Sequence, residues 1–320
     1  MTTRGLYLED AYTIVLKDEQ VLSALCGAND RNLDFFEQYL GVPVVCRGNE
    51  VSVLSADDEV CKKFQHLVDK AVNSSEIKSK NSSEYIESLI STINVSDKQD
   101  ISSSCIHIPR GMRSVYPKNP HQLEFINSIR NNDISFGLGA AGTGKTYLAV
   151  ACALQMLMSH QMRKIVFTRP VVEAGESLGF LPGDLVQKIT PYLRPLYDSI
   201  ELLMPFELIR QMEESNMIEV APLAYMRGRT LHNAVVILDE AQNTTKEQMK
   251  MFLTRMGEGS KLIVTGDPSQ SDISSAKNSG LVHAANLLSK IRGIGIVQFS
   301  PEDVVRHSLV QKIIKAYDKE

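Results

Sequence analysis

The eight residues from Gly139 to Thr146 combine the residue types that bind a phosphate chain. They match the pattern G-x-x-x-x-G-K-[ST] at every fixed position. Glycines let backbone N–H groups curl around an anion, and the start of a helix adds unpaired donors with partial positive charge. Lys145 is expected to reach the β- and γ-phosphates of ATP, and Thr146 to hold Mg²⁺. The predicted binding residues are Gly139, Ala140, Ala141, Gly142, Thr143, Gly144, Lys145 and Thr146.

A second chemical site is predicted where the apolar run 234–238 ends in Asp239 and Glu240. Such a run is typical of a buried parallel strand whose carboxyl end is exposed at an active site. Asp239 is expected to bind Mg²⁺ through water. Glu240 is expected to orient and deprotonate the attacking water. A third apolar run, 261–265, leads into a polar segment that ends at Gln270, the candidate sensor of the γ-phosphate.

These side chains need a parallel sheet to bring them together. Strands are predicted at 134–138, 164–168, 218–221, 234–238, 261–265 and 294–299, with a helix at 147–158 after the phosphate-binding residues. Strands that alternate with helices indicate an α/β fold with helices on both faces of the sheet and right-handed crossovers. A last helix is predicted from Ser300 as N-cap and Pro301 at its first position, with an apolar stripe at Val305, Leu309 and Ile313.

The N-terminal third is predicted to be a separate small α/β domain, residues 1–72. It has a strand at 12–16, a helix at 30–40, a hairpin of 42–46 with 51–54, and a helix at 57–72. Serine then becomes frequent, which indicates a flexible linker with one short helix, followed by an extended arm, over residues 73–112. Residues 113–320 are predicted to form the second domain.

The composition indicates a cytoplasmic protein. The 320 residues are 43% hydrophobic and 22% charged. No apolar run reaches the ~18 residues of a membrane span, and the first residues lack the apolar core of a signal peptide. The net charge of −4 is uneven, because residues 1–112 carry 11 Lys and Arg against 17 Asp and Glu, whereas 113–320 carry 23 against 21. Any contact with nucleic acid is therefore electrostatically easier on the C-terminal domain.

Several segments together resemble the PhoH family, whose motor motifs are similar to those of superfamily one helicases. They are residues 168–170 (TRP), 239–242 (DEAQ), 266–270 (GDPSQ), the block 169–184, the ending 303–309, and Gln122 before the phosphate-binding residues. The resemblance implies a P-loop ATPase preceded by a KH-like domain. It also implies coupling to RNA or to an RNA-processing partner, with Gln122 reading adenine. The N-terminal domain lacks the Gly-x-x-Gly loop and is acidic, which favours a structural or docking role over RNA binding.

The residues after Gln270 are too few for the second motor domain of those helicases. The site is therefore expected to be completed by another subunit or by a partner, or else to hydrolyse ATP slowly. The expected active form is a homo-oligomer, a closed ring in which a neighbour's arginine completes the site. The resemblance implies hexamers. Arg227, Arg229 and Arg306 are the candidate arginines, each with the alternative of an ordinary surface charge. Glycines and prolines are predicted to break residues 173–197 into a loop that faces the substrate or a neighbouring subunit.

Two other functions remain open at this point. A nucleotide-controlled assembly module would bind ATP without work on nucleic acid. A kinase would use the same phosphate loop, but no acceptor site is recognisable in the sequence.

Overall fold

The computed structural model describes residues 4–8, 11–79, 81–93, 105–109, 112, 114–170, 185–270 and 279–304. Packing divides the chain into two compact units. The first comprises Met1–Cys105 with Tyr116–Leu123, and the second comprises Ile106–Val115 with Glu124–Glu320.

The first unit packs helices against an antiparallel sheet. The strands are β1 (Arg4–Leu8), β2 (Ala11–Val15), β3 (Val44–Arg47) and β4 (Glu50–Val53), in the order β1-β2-β4-β3. The helices are α1 (Glu19–Cys26), α2 (Leu33–Leu40), α3 (Asp58–Asn73) and α4 (Ser82–Thr92). The predicted hairpin and the helix before it are confirmed in type, with bounds shifted by a few residues. The likeness to KH domains stays a prediction.

The serine-rich segment contains the predicted short helix as α4, but its described residues are packed rather than flexible. A 3₁₀ turn (Ser75–Lys78) and α4 carry apolar side chains into the core of the first unit, where Ile77, Tyr85 and Leu89 are fully buried. The hydroxyl of Tyr116 also donates to Glu76 at 2.5 Å within this unit. Spaced apolar residues thus outweigh the serines between them, and serines such as Ser74 and Ser91 bond locally, to the Glu76 N–H and the Glu87 carbonyl. The first unit consequently extends beyond the predicted boundary at residue 72.

The second unit is built on six described strands that form one parallel sheet. They are β7 (Ile134–Leu138), β8 (Lys164–Arg169), β9 (Ile218–Pro222), β10 (Ala234–Leu238), β11 (Lys261–Gly266) and β12 (Ile294–Gln298), in the order β12-β7-β11-β10-β8-β9. Two short strands, β5 (Ile106–His107) and β6 (Ser114–Val115), pair separately. The helices are α5 (Pro120–Asn131), α6 (Lys145–Met158), α7 (Leu185–Glu201), α8 (Phe206–Glu214), α9 (Lys246–Leu253) and α10 (Gly280–Leu288). The division between the units falls inside α5.

Apolar cores lie on both faces of this sheet. Along β10, Val235 and Ile237 belong to the core with α5, α6, α7 and α8, whereas Val236 and Leu238 belong to the core with α9 and α10. Successive side chains of a strand point to opposite faces, so a strand covered on both sides must be apolar throughout. The predicted α/β fold, a parallel sheet with helices on both faces, is confirmed.

Two predictions of local structure are wrong. Residues 185–201 form the single helix α7 although Pro191 and Pro195 lie inside it. Leu193, Leu196 and Ile200 are buried on one side of α7, and this apolar stripe outweighs the missing N–H groups of the prolines. Residues 171–184, with the predicted turns at Gly175, Gly179, Pro182 and Gly183, lie outside the described residues.

The predicted last helix also does not continue from its cap. Pro301–Asp303 form one 3₁₀ turn, in which the Asp303 carboxylate accepts from the Ser300 N–H at 2.6 Å. Val304 then has extended backbone, with φ −67° and ψ 108°. The predicted stripe after it lies outside the described residues. None of the helices described is both long enough and apolar enough to cross a lipid bilayer.

Candidate active site

The phosphate-binding residues connect β7 to α6, so the predicted sequence of strand, loop and helix is confirmed. Gly139, Gly142 and Gly144 have φ of 146°, 86° and 86°, a region that favours glycine. Space also requires glycine at the first position. A Cβ on Gly139 would lie 2.7 Å from Cβ of Phe299, the residue that follows β12. The loop is thus shaped by its own glycines and by the neighbouring strand.

Lys145 points back into this loop. Its Nζ donates to the carbonyl oxygens of Gly139 and Ala140, both at 2.7 Å, and to Thr143 Oγ1 at 3.1 Å. The ammonium also lies 5.9 Å from the centre of the Phe299 ring, within the range of a cation–π contact. The side chain is 6% exposed. A phosphate chain can therefore recruit this cation by exchange with carbonyl oxygens, without drawing it from water.

Asp239 and Thr146 meet beside the loop. Thr146 Oγ1 donates to Asp239 Oδ1 at 2.7 Å, and Thr265 Oγ1 donates to the same oxygen at 2.7 Å. The two predicted metal ligands come from the start of α6 and the residue after β10, and they are 93 positions apart in the chain. A carboxylate and a hydroxyl are hard oxygen donors, which suit Mg²⁺. The donor set therefore fits the predicted ion.

The orientation of Glu240 depends on an unusual backbone conformation. Its φ of 52° lies in the left-handed region, which is uncommon for a residue with a side chain and frequent at functional sites. Its side chain is 37% exposed, and its Oε1 lies 3.5 Å from Nη2 of Arg169 at the end of β8. The other oxygen, Oε2, accepts from Nε2 of Gln242. The candidate base is thus held from two sides and remains accessible to water.

Asp267 is a site residue beyond those predicted from the sequence. Its Oδ2 accepts from the Ala141 N–H of the phosphate loop at 3.0 Å. Its Oδ1 accepts from Ser269, at 2.9 Å from the backbone nitrogen and 2.6 Å from Oγ. Its own N–H donates to Gln242 Oε1 at 3.0 Å. The sequence signal for this residue is an acid that directly follows a predicted apolar strand, within the segment 266–270.

One pocket of about 270 Å³ collects these groups. Gln270 also lines it. This residue is exposed, and its N–H donates to the Asp267 carbonyl at 3.1 Å. The described lining residues are Ala141, Gly142, Gly144, Lys145, Thr146, Tyr147, Ser199, Asp239, Glu240, Gly266, Asp267 and Gln270. The carboxyl ends of β7, β10 and β11 therefore bring most of the predicted site residues together, and their roles stay predictions.

Gln122 belongs to the first unit and is not among the described lining residues of the pocket. It is 4% exposed, its Oε1 accepts from the Lys118 N–H at 2.7 Å, and its N–H donates to Asn119 Oδ1 at 2.8 Å. These bonds hold the first turn of α5. Contact of Gln122 with adenine stays a prediction.

The candidate arginines lie elsewhere. Arg229 forms a two-pronged ion pair with Glu219, with N–O distances of 2.6 and 2.9 Å, and Lys164 lies 2.6 Å from the same carboxylate. Glu219 and Lys164 are at the amino ends of β9 and β8, so Arg229 is at the edge of the sheet opposite its own phosphate loop. The hydrogen bonds from Arg229 lower the pKa of Glu219 to about 2 despite its partial burial. Arg227 is exposed, and Arg306 lies outside the described residues.

This sheet, its glycine loop and the acidic strand ends define a P-loop nucleotide-binding protein of the ATPase type. The family model described as "PhoH-like protein" matches residues 114–318, and the chain belongs to this family. A "PhoH-like protein" of Bacillus subtilis is 44% identical over 95% of this chain and 96% of its own length. "Protein PhoH" of Escherichia coli is 44% identical over 65% of this chain and 59% of its own length.

Among solved structures, a Sulfolobus solfataricus SWI2/SNF2 ATPase core in complex with dsDNA is 13% identical. It covers 58% of this chain and 45% of its own, with a TM-score of 0.34.

Proposed function

We propose that this protein is a Mg²⁺-dependent ATPase that couples hydrolysis to RNA or to an RNA-processing partner. One observation carries the hydrolytic part of the proposal. The hydroxyl of Thr146 and the carboxylate of Asp239 are 2.7 Å apart beside the phosphate loop, and the half-exposed carboxylate of Glu240 lines the same pocket. A metal-binding pair next to a candidate base is the arrangement that phosphoryl transfer to water needs.

Each residue has one task in this proposal. Lys145 leaves the loop carbonyls and binds the β- and γ-phosphates, and Glu240 takes a proton from the attacking water. Thr146 and Asp239 would hold Mg²⁺, which when bound neutralises charge on the phosphates. The exposed Gln270 reaches the terminal phosphate from the end of β11.

The test compares turnover with binding in Glu240→Gln. This change keeps the size of the side chain and removes the base. Phosphate release at saturating ATP and Mg²⁺ is therefore expected to fall about 10²–10⁴-fold, while a fluorescent ATP analogue still binds. Wild-type turnover in this variant would assign the base elsewhere. Removal of Mg²⁺ with a chelator should stop wild-type turnover, and turnover that persists would contradict the predicted metal dependence.

The RNA part of the proposal is supported by charge and by family resemblance. Residues 113–320 carry a balance of +2, from 23 Lys and Arg minus 21 Asp and Glu. Phosphate contacts by Lys and Arg supply most non-specific affinity for nucleic acid. Single-stranded RNA is expected to raise the ATPase rate at low salt, with an effect that weakens as salt increases. An unchanged rate at every salt concentration would contradict coupling to RNA.

A nucleotide-controlled assembly module is the second candidate, and one observation favours it. Among the described residues, the pocket lining includes no arginine, and Arg169 is paired with the candidate base itself. Hydrolysis by a single chain is therefore expected to be slow, as a long-lived ATP state requires. An ATPase rate that ignores RNA, together with an oligomeric state that changes with bound ATP or ADP, would select this second function.

We further propose that the active form is a ring of identical subunits, in which Arg229 or Arg306 of one subunit reaches the ATP of its neighbour. The position of Arg229 at the edge opposite its own phosphate loop supports donation between subunits. Specific activity is expected to rise with protein concentration. Mixing Arg229→Ala with Glu240→Gln should restore some turnover, because one interface then contains both intact groups. A monomer with full activity at every concentration would contradict the ring.

Glu219→Gln is the control for Arg229→Ala, since it weakens the same ion pair and leaves the arginine in place. Turnover is expected to survive in Glu219→Gln and to fall in Arg229→Ala. Equal loss in both variants would give Arg229 a structural role only.

A further inference from the structure

We propose that Gln242 is a positioning residue that couples the candidate base Glu240 to the phosphate loop through Asp267. The inference deepens the proposed ATPase function and rests on it. Gln242 follows Glu240 by two residues in a short 3₁₀ turn, Ala241–Asn243, and is 1% exposed. It does not line the pocket, so it acts through the residues that it holds.

The orientation of the Gln242 amide follows from its partners. The backbone nitrogen of Asp267 can only donate, so the oxygen Oε1 of Gln242 must face it, and the distance is 3.0 Å. The amide nitrogen Nε2 then faces a carboxylate, Oε2 of Glu240, which can accept. If the amide were rotated by 180°, Nε2 would face the Asp267 N–H, so that two donors meet, and Oε1 would face the Glu240 carboxylate, so that two acceptors meet. One buried side chain thus links the ends of β10 and β11 in a single orientation.

Asp267 continues the connection into the phosphate loop. Its backbone N–H bonds to Gln242, while its carboxylate accepts from the Ala141 N–H. Gly266 lets the amide pack directly on the end of β11, because a Cβ there would lie 2.8 Å from Gln242 Oε1. A shift of the loop that moves Asp267 is therefore transmitted to the amide and from there to Glu240.

Arg169, the other partner of Glu240, explains why the base needs the hydrogen bond from Gln242. Arg169 lies on the other carboxylate oxygen at 3.5 Å, and its side chain is 23% exposed. Without the Gln242 donor, the carboxylate can close on the guanidinium as an ion pair and leave its place in the pocket. Loss of the donor should therefore lower kcat and leave the affinity for ATP almost unchanged.

The first test is Gln242→Glu, which separates the two bonds of the amide. The new carboxyl group can still accept from the Asp267 N–H, but it replaces the amide donor by a second acid that repels Glu240 or shares its proton. We expect kcat to fall roughly 10–100-fold, with ATP affinity within about 3-fold of wild type. The melting temperature is expected to fall as well, because an acid is buried next to another acid. Gln248→Glu is the matched control. Gln248 also accepts from a backbone N–H, that of Thr245, outside the pocket, and its change should leave kcat as in wild type.

The second test measures the coupling by ATP affinity alone. Asp267→Asn removes a negative charge from a pocket that receives an anion, so it should tighten binding of an ATP analogue several-fold. In the double variant with Gln242→Glu, the effect should differ from the product of the single effects by about 3-fold or more, as expected for residues in one network. If Gln242→Glu does not fold, Gln242→Met takes its place in this double-mutant cycle with Asp267→Asn.

The outcomes separate this inference from the proposed function. If the wild type hydrolyses ATP and Gln242→Glu has the same kcat, the inference is overturned. A wild type that binds ATP without hydrolysis overturns the ATPase, and the affinity cycle then decides the coupling. Non-additive affinities support the coupling, and additive affinities overturn it.

Discussion

Two lysines at opposite edges of the same sheet make the same kind of contact. Lys145, at the carboxyl end of β7, donates to the carbonyls of Gly139 and Ala140. Lys261, the first residue of β11, donates to the carbonyls of Arg130 and Asn132 at 3.1 and 2.5 Å. Hydrogen bonds alone therefore do not reveal which lysine is functional.

The carbonyls that each lysine contacts make the difference. Those at Lys261 belong to the last turn of α5 and the residue after it, where the helix dipole favours a cation and no ligand is needed. Those at Lys145 belong to a glycine loop beside a pocket lined by three carboxylates, those of Asp239, Glu240 and Asp267. At the amino edge of the sheet, Lys261 keeps its carbonyl partners within the protein. At the carboxyl edge, the carbonyl partners of Lys145 can be replaced by the phosphates of a ligand.

Removal of each lysine in turn should separate their roles, and the loss of ATP affinity in Lys145→Ala is the largest effect that we expect. Lys145→Ala is expected to lower the affinity for ATP about 10²–10⁴-fold, since a cation that bonds to two phosphates contributes ~1.5–3 kcal/mol per bond. Lys261→Ala should leave ATP affinity unchanged and lower the free energy of unfolding. Calorimetric titration with ATP and chemical denaturation of both variants check this. Tight ATP binding by Lys145→Ala would contradict the assignment of the phosphate loop.

The ion pair of Glu219 gives a second, intermediate effect at the amino edge. Glu219→Gln should lower the free energy of unfolding by about 1–2 kcal/mol at neutral pH, because two cations lose a partly buried partner. The pKa of Glu219 falls from 4.5 to about 2 on folding. Its stabilisation is therefore complete above about pH 4.5 and is lost as the pH falls towards 2.

Denaturation at several pH values tests that sign. The difference between wild type and Glu219→Gln should shrink steadily as the pH falls through this interval. A difference that stays constant down to pH 2 would show that the carboxylate charge is not the source. ATP affinity should be equal in the two proteins, which keeps the amino edge distinct from the carboxyl edge.

Gln122, in the first unit, offers the smallest expected effect. Gln122→Ala should reduce the preference for ATP over GTP about 3–10-fold, because a glutamine amide can pair with both the N6 donor and the N7 acceptor of adenine. Asn119→Ala, which removes the partner of the Gln122 N–H, should lower stability and keep the preference. Unchanged selectivity in Gln122→Ala would reduce this residue to a support for the start of α5.

The sequence predicts the central strands well because each is short, apolar and covered on both faces, as in residues 234–238. The loop at 139–146 is equally clear, since its glycines and its lysine are fixed by the shape of a phosphate chain. Asp267 was harder to find, because its partner Ala141 is 126 positions away. The pairing of Arg229 with Glu219 depends on which strand ends face each other. The helix across Pro191 and Pro195 shows that buried leucines can override a local signal.

The order of the strands also has a consequence for biosynthesis. The phosphate loop leaves the ribosome before β11, which lies between β7 and β10 and follows more than a hundred residues later. Until β11 is inserted, β7 and β10 have no common neighbour, and the oxygens of Asp239 are not aligned with the loop. Such non-local pairing is slow to form. A nascent chain that ends before β11 carries the complete motif and should remain unable to recognise its nucleotide.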